Sequence, residues 1–269
     1  MTRVADASLA ADLDLLRRAG EEAALLALSY FRHAPQVWEK EGGSPVSEAD
    51  YAVDRRLAEV LLGERPGYGW LSEETADSDA RLDRDRVFVV DPIDGTRAFL
   101  IGGKEWTISL AVVEAGRPVA AVLVGPVLGT TFHAIAGEGA FADGVRLKAG
   151  ELETLAAARF ASSRRYASAV EASGPARKPR FVASLAYRIA LVASGEIDVA
   201  IAKPNARDWD LAAADLLVHE AGARLASLDG GKLRYNRRDT THPTLIAANP
   251  ALFGDVVELV QRVDGEPQQ

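Results

Sequence analysis

The sequence predicts an α/β protein built as two lobes. Three observations carry that expectation. In the first half, Val- and Ile-rich runs at Ile108–Val113, Val119–Val124 and Thr130–Ala136 follow one another across Gly- or Pro-containing turns, which is the pattern of an antiparallel meander. After about residue 147 the style changes, and short apolar runs alternate with segments of helical period. The 269 residues, 48% of them hydrophobic, are enough for two lobes sharing a core. The expected lobes are 1–147, with an antiparallel sheet, and 148–269, of α/β type.

The elements follow in order. Asp6 to Phe31 carries Leu9, Leu13, Leu16, Leu26 and Tyr30 at helical spacing and reads as an amphipathic helix. Glu41-Gly42-Gly43-Ser44-Pro45 breaks the chain. Ser47 then reads as an N-cap, with Asp50 three residues on, for a helix to about Leu62. Val87–Val90 is a short buried strand running into Asp91-Pro92-Ile93-Asp94-Gly95-Thr96, and Thr96 opens a short helix through Leu100. Beyond the meander, Arg180–Ser184 reads as a strand, Leu185–Ser194 as a helix stopped by Gly195, Ile197–Ala202 as a strand, and Leu211–Ala221 as a helix stopped by Gly222.

Composition narrows the chemistry. The formal charge is −8 and there is no cysteine, so disulfide scaffolds, thiol nucleophiles, Cys-ligated zinc and iron–sulfur clusters are excluded. An acidic chain lacks the basic footprint of a nucleic-acid polymer binder, whereas a small anionic substrate stays compatible if bound cations supply positive charge locally. Asp6, Asp12 and Asp14 interrupt the apolar stretch a secretion signal needs. Pro118–Gly137 has no charged residue, but Gly125-Pro126 splits it into two Val-rich runs that read as strands rather than a membrane helix. A cytoplasmic protein is expected.

The informative stretch is Asp91 to Thr96. Two carboxylates follow an apolar strand directly, Pro92 fixes the backbone between them, and Gly95 permits a sharp turn. A helix start at Thr96 would present free N–H groups to a phosphate, and carboxylates beside a phosphate call for intervening cations. Either Glu73 or Glu74 is a plausible third acid, and Asp210, after Trp209, is balanced between helix N-cap and metal ligand. His33, His133, His219 and His242 are scattered, with no metal-ligand spacing, and His219 reads as a packed or surface residue rather than a base.

With these motifs the chain resembles the inositol monophosphatase superfamily of Mg²⁺-dependent, lithium-sensitive phosphomonoesterases. Asp91-Pro-Ile-Asp94-Gly-Thr96 and Trp209-Asp210-Leu-Ala-Ala match its two signature regions, with Ser72-Glu73-Glu74 and Ser47-Glu48-Ala49-Asp50 upstream. The resemblance implies a layered αβαβα sandwich with the site between the lobes. It implies that Glu73, Asp91 and the carbonyl of Ile93 hold one metal and that Asp91, Asp94 and Asp210 hold another, with two or three Mg²⁺ in all. It also implies that Gly95 and Thr96 offer N–H groups to the phosphate, and that Thr96, paired with Glu73 or Asp50, orients the attacking water. Relatives of this kind are often homodimers.

Substrate choice is less direct. The strand before Trp209 reads Ala200-Ile201-Ala202-Lys203-Pro204 and lacks the carboxylate by which inositol monophosphatases hold a ring hydroxyl. Ser184-Leu185-Ala186-Tyr187-Arg188 and Lys40–Asp50 resemble the bacterial CysQ-like branch of 3′(2′),5′-bisphosphate nucleotidases. Ser184, Arg188 and Lys203 are therefore expected to contact a bisphosphate nucleotide. The segment Arg159–Arg180 sets six basic residues against Glu171, and reads equally as a solvated face or as a clamp for a second phosphate. The alternatives are inositol-1-monophosphatase, histidinol-phosphatase, and a non-catalytic binding protein that keeps the fold.

Overall fold

A computed structural model describes residues 7–40, 43–162, 166 and 180–265. Helix α1 (Ala7–Tyr30) lays Leu15, Leu16, Ala19, Ala23 and Ala27 on one buried stripe. The start expected at Asp6 lies outside the described residues, and the helix stops one residue short of Phe31. Gly20 lets α1 meet the sheet closely, since a Cβ there would lie 2.9 Å from Val124 Cγ2. A hairpin of β1 (Val37–Glu39) and β2 (Pro45–Ser47) leads into α2 (Glu48–Glu64). At its start the backbone N–H and hydroxyl of Ser47 both donate to Asp50 Oδ2, at 2.8 and 2.6 Å.

The main sheet has seven strands in chain order: β3 (Gly69–Ser72), β4 (Arg86–Asp94), β5 (Thr107–Glu114), β6 (Arg117–Gly125), β7 (Thr130–Ile135), β8 (Gly139–Ala142) and β9 (Val145–Arg146). Only β3 and β4 pair in parallel. The uncharged run from Pro118 is β6 and β7, and among the described residues no helix is long and apolar enough to cross a membrane.

The second sheet has the order β10 (Phe160–Ala161), β11 (Val199–Ala202), β15 (Leu245–Ala248), β13 (Arg224–Ser227). A two-stranded ladder of β12 (Ala206–Arg207) and β14 (Thr241–His242) stands beside it. Helices α4 (Leu185–Ala193) and α5 (Asp208–Glu220) fill the space between the sheets, and α6 (Phe253–Gly265) covers the outer face.

Three apolar clusters mark the layers. One joins α1 and α2 to Phe88, Val90 and Leu110. One joins Val87 and Val89 through α4 and α5 to Ala200 and Leu245. One joins Val199, Ile201 and Ile246 to α6. The alternation of Val87 and Val89 against Phe88 and Val90 is the period of a strand buried on both faces. The layers run α, β, α, β, α, as the resemblance implied.

The strand expected at Arg180–Ser184 does not form. Arg180 makes a single bridge to Ala161, and the chain then runs irregularly to Ser184, the N-cap of α4. The helix expected from Leu211 begins three residues earlier, at Asp208, so Asp210 lies inside its first turn instead of capping it.

One buried cation ties distant parts of the chain. Arg81, in a 3₁₀ turn (Asp79–Asp83), donates to both oxygens of Asp77 at 2.6 and 2.7 Å, to Asn236 Oδ1 at 2.6 Å and to the carbonyl of Arg237 at 2.9 Å. Arg81→Ala strands these acceptors and leaves a void. It is expected to lower the unfolding free energy by about 2–3 kcal/mol, read from the urea midpoint. A loss below about 0.5 kcal/mol would remove this tie from the stabilising contacts.

Candidate active site

Because β3 and β4 pair in parallel with Ser72 opposite Val90, the two strands end side by side. Glu73 therefore follows β3 next to Asp91, with its N–H on the carbonyl of Val90 at 3.2 Å. Asp91 continues the Val87–Val89 face toward the middle helices, where the first turn of α5 brings Asp210. One carboxylate oxygen from each of Glu73, Asp91 and Asp210 lies within 4.8 Å of the others. Ser109, opposite Asp91 on β5, fixes the approach by donating to the carbonyl of Trp209 at 3.2 Å. The N–H of Arg207 donates to Asp210 Oδ2 at 2.7 Å.

Asp94 needs a second device. Residues three apart on a regular strand face opposite sides. Asp91 pairs with Ser109 but Asp94 with Thr107, so a bulge at Pro92-Ile93 adds one residue to β4 and returns Asp94 to the same cavity. Asp94 Oδ2 accepts from the hydroxyl of Ser184 and from the N–H of Ala186 at 2.7 Å, and Oδ1 accepts from the N–H of Leu185 at 3.2 Å. This carboxylate caps α4 while facing the acidic cluster.

Ser184 is fully buried. With its own proton on Asp94, its oxygen accepts from the N–H of Tyr187 at 2.9 Å and from the hydroxyl of Thr107 at 3.0 Å. In this structure Ser184, expected at the substrate, is engaged in orienting Asp94. Gly95 adopts φ +96, and a Cβ there would lie 3.1 Å from the carbonyl oxygen of Glu105 and 3.2 Å from the N–H nitrogen of Ser184.

Thr96 opens α3 (Thr96–Leu100). Its hydroxyl lies 3.2 Å from Asp50 Oδ1 and 3.1 Å from the carbonyl of Ile93, and its one proton serves either acceptor. The N–H of Ile93 donates to Asp91 Oδ1 at 3.0 Å. Of the two partners expected for Thr96, Asp50 lies within hydrogen-bond reach.

The structure also separates the two glutamates. Glu73 enters the cluster. Glu74, with its side chain 2% exposed, meets Lys40 at 2.6 Å, and Lys40 also holds Glu73 at 2.8 Å. Lys40 was not singled out as a site residue. It stands in the β1–β2 turn, and no local motif ties it to glutamates more than thirty positions away. Asp54 of α2 anchors the same corner by accepting from the hydroxyls of Ser72 and Thr75, on either side of the pair.

Burial and crowding set the electrostatics. Asp91 is pushed well above the ordinary carboxylate range by burial and then by Glu73, Asp94 and Asp210, and Asp210 by burial and then by Asp94 and Glu73. Burial raises Asp94 to about 6 against its hydrogen bonds, and Glu74 to about 7 against Lys40. Burial also raises Asp50. Burial opposes the charge of Lys40, yet its two glutamates hold its pKa above the ordinary value.

The cluster faces a cavity of about 720 Å³ whose wall includes Ile93, Gly95, Thr96, Arg97, Ile101 and Phe181. A second cavity of about 320 Å³ shares Arg97 and Phe181 and adds Arg188, Lys203 and Asn205. Arg188 is buried, its Nε has no hydrogen-bond partner, and burial lowers its pKa with only the charge of Asp94 in opposition. Lys203 is exposed. In the basic segment, Arg159 is held by Asp198 at 2.9 Å and Arg180 by Glu105 at 2.7 Å, so these two are engaged within the chain. Arg164, Arg165, Arg177 and Lys178 lie outside the described residues. Of the histidines, His219 is exposed, whereas His242 is buried against Asp208 at 2.7 Å.

The profile of the Inositol monophosphatase family matches residues 9–264. The chain belongs to this family. It is a phosphatase, a small phosphate ester is its class of substrate, and the mixed α/β sandwich is the family fold.

Relatives carry several names. A Streptomyces griseus protein named glucose-1-phosphate thymidylyltransferase is 38% identical, covering 82% of this chain and 87% of that protein. A Mycobacterium tuberculosis histidinol-phosphatase is 37% identical, covering 70% and 75%. The Aggregatibacter actinomycetemcomitans 3′(2′),5′-bisphosphate nucleotidase CysQ is 29% identical, covering 85% and 87%. A solved inositol monophosphatase/NADP phosphatase, complexed with Mg²⁺ and phosphate, superposes with a TM-score of 0.86 at 20% identity, covering 97% and 99%.

The raised carboxylates make the metal-free site a source of pH dependence. In the unfolded chain these groups lose their protons near pH 4, whereas the folded protein retains them toward pH 6–7, so rising pH favours the unfolded chain across that window. In EDTA the urea midpoint is expected to fall between pH 5 and pH 8. Mg²⁺ is expected to raise it more at pH 8 than at pH 5, because deprotonated ligands bind the ion. A midpoint that rises with pH in EDTA would show that the cluster is not strained by its own charge.

Proposed function

We propose that this phosphatase is a Mg²⁺-dependent 3′(2′),5′-bisphosphate nucleotidase, converting adenosine 3′,5′-bisphosphate and water to AMP and phosphate. The observation that carries this choice is Arg188. A buried guanidinium with an unpartnered Nε is costly until an anion reaches it, and Arg188 lines a cavity beside the acidic cluster. Arg97 and Lys203 line the same cavity. A second phosphate supplies the missing charge. Histidinol phosphate would bring an ammonium group toward three cations, and inositol 1-phosphate would bring only hydroxyls.

The donor set suits Mg²⁺, since every acid in the cluster offers hard oxygen, and burial together with the neighbouring acids raises Asp91 and Asp210 while no cation is present. Glu73, Asp91, Asp94 and Asp210, with the carbonyl of Ile93, would hold two or three ions. Bound Mg²⁺ supplies Lewis acidity at the phosphate and a more acidic water.

The chain's own groups do the rest. Gly95 and Thr96 would orient the phosphate through their N–H groups. Thr96 passes its proton to Asp50, leaving its oxygen to accept one from the attacking water. Burial keeps Asp50 a stronger base than an exposed aspartate. The water oxygen, keeping its second hydrogen, bonds to phosphorus as the ester P–O bond breaks; the departing alcohol oxygen takes a proton from solvent water, and the proton held on Asp50 returns to solvent, which closes the balance.

The test compares kcat/KM on adenosine 3′,5′-bisphosphate, inositol 1-phosphate, histidinol phosphate and fructose 1,6-bisphosphate. The nucleotide is expected to lead by at least about tenfold, or 1.4 kcal/mol in transition-state binding. A tenfold lead for inositol 1-phosphate overturns the reading. Arg188→Met removes a buried charge without leaving a void. It is expected to raise KM for the bisphosphate by about tenfold or more and for a monophosphate by less than about twofold. Asp91→Asn is expected to cut turnover by about a thousandfold or more on every ester while the protein stays folded.

A further inference from the structure

Among the described residues, the large apolar side chains most open to solvent include two at the catalytic cavity, Ile101 at 86% and Phe181 at 68% exposure. Phe181 lines both cavities, the acidic one and the cationic one, so it stands on the ridge between them. Its backbone is fixed on either side. Arg180 is held by Glu105 and by the carbonyl of Phe160, at 2.7 and 2.8 Å, and Val182 is buried. An exposed ring on an anchored backbone, with the acidic cluster's cavity on one side and Arg188 and Lys203 lining the cavity on the other, is preorganised for a flat ligand.

The geometry points to Phe181 as a stacking platform for a planar ring carried by the alcohol half of the substrate. The ligand class is a phosphate ester of an aromatic or heteroaromatic alcohol, with its phosphate at the acidic cluster and its ring on Phe181. Ile101 supplies further apolar wall in the larger cavity. This role rests on the phosphomonoesterase site and not on the choice of nucleotide. It deepens that choice, because a nucleoside carries such a ring.

The experiment is calorimetric titration of the full chain with phenylphosphonate and methylphosphonate in the presence of Mg²⁺, which needs no turnover. The wild-type protein is expected to bind the phenyl compound about tenfold more tightly, a ratio within the range of ring stacking. In Phe181→Ala the ratio is expected to fall within twofold while methylphosphonate affinity is kept, and Phe181→Trp is expected to retain the preference. A wild-type ratio near one, or a preference that survives Phe181→Ala, overturns the platform. The nucleotide reading fails separately, if adenosine 3′,5′-bisphosphate is not hydrolysed while the ring preference stands.

Discussion

Four carboxylates converge at one end of the seven-stranded sheet, and their mutual repulsion is the constraint around which the rest is arranged. Glu73, Asp91, Asp94 and Asp210 come from three elements: the end of a parallel strand, the two sides of a bulge in its neighbour, and the first turn of a helix from the other half of the chain. Placing like charges together in a buried corner is unfavourable, and the raised pKa values of Asp91, Asp94 and Asp210 record that cost. Hydrogen bonds partly offset it. Asp94 takes three from the start of α4, Asp210 one from Arg207, and Asp91 one from Ile93. Bound cations would complete the balance, and would let a chain of net charge −8 accommodate a phosphate.

Much of this was legible in the sequence because it is local. The meander strands show as Val-rich runs between Gly and Pro turns. The α2 cap shows as Ser47 with Asp50 three on, and α1 as Leu at helical spacing. Asp91 and Asp94 stand out because they close an apolar strand. What was not legible depends on tertiary contact. Arg180–Ser184 has strand-like composition, but Ser184 is drawn to Asp94 and turns the chain into α4 instead. The bulge leaves only Pro92 as a trace. Lys40, Arg97 and Phe181 carry no motif, and their place in the site emerges when the β1–β2 turn, α3 and the run before α4 meet at one cleft.

The same contrast separates the general chemistry from the selectivity. The acidic cluster is specified by short motifs and a parallel strand pair, and nothing in it distinguishes one phosphate monoester from another. The residues proposed above to discriminate among esters are dispersed. Arg188 lies on α4, Lys203 beyond β11, and Phe181 in an irregular run. Residues of that sort are exchanged without disturbing the sheet, which accords with the different names carried by relatives of similar identity.

The capping of α4 by Asp94 has one more consequence. Ser184, which holds Asp94, and Arg188, which lines the second cavity, are four residues apart at the start of the same helix, about 6 Å along its axis. A helix with hydrogen-bonded turns does not stretch. Ser184, which holds Asp94, and Arg188 are therefore kept at a fixed spacing of little more than one turn. On the bisphosphate reading proposed above, that spacing would sort a doubly charged ligand by length as well as by chemistry. A molecule whose two anions were too close or too far apart would then engage one end of it at a time.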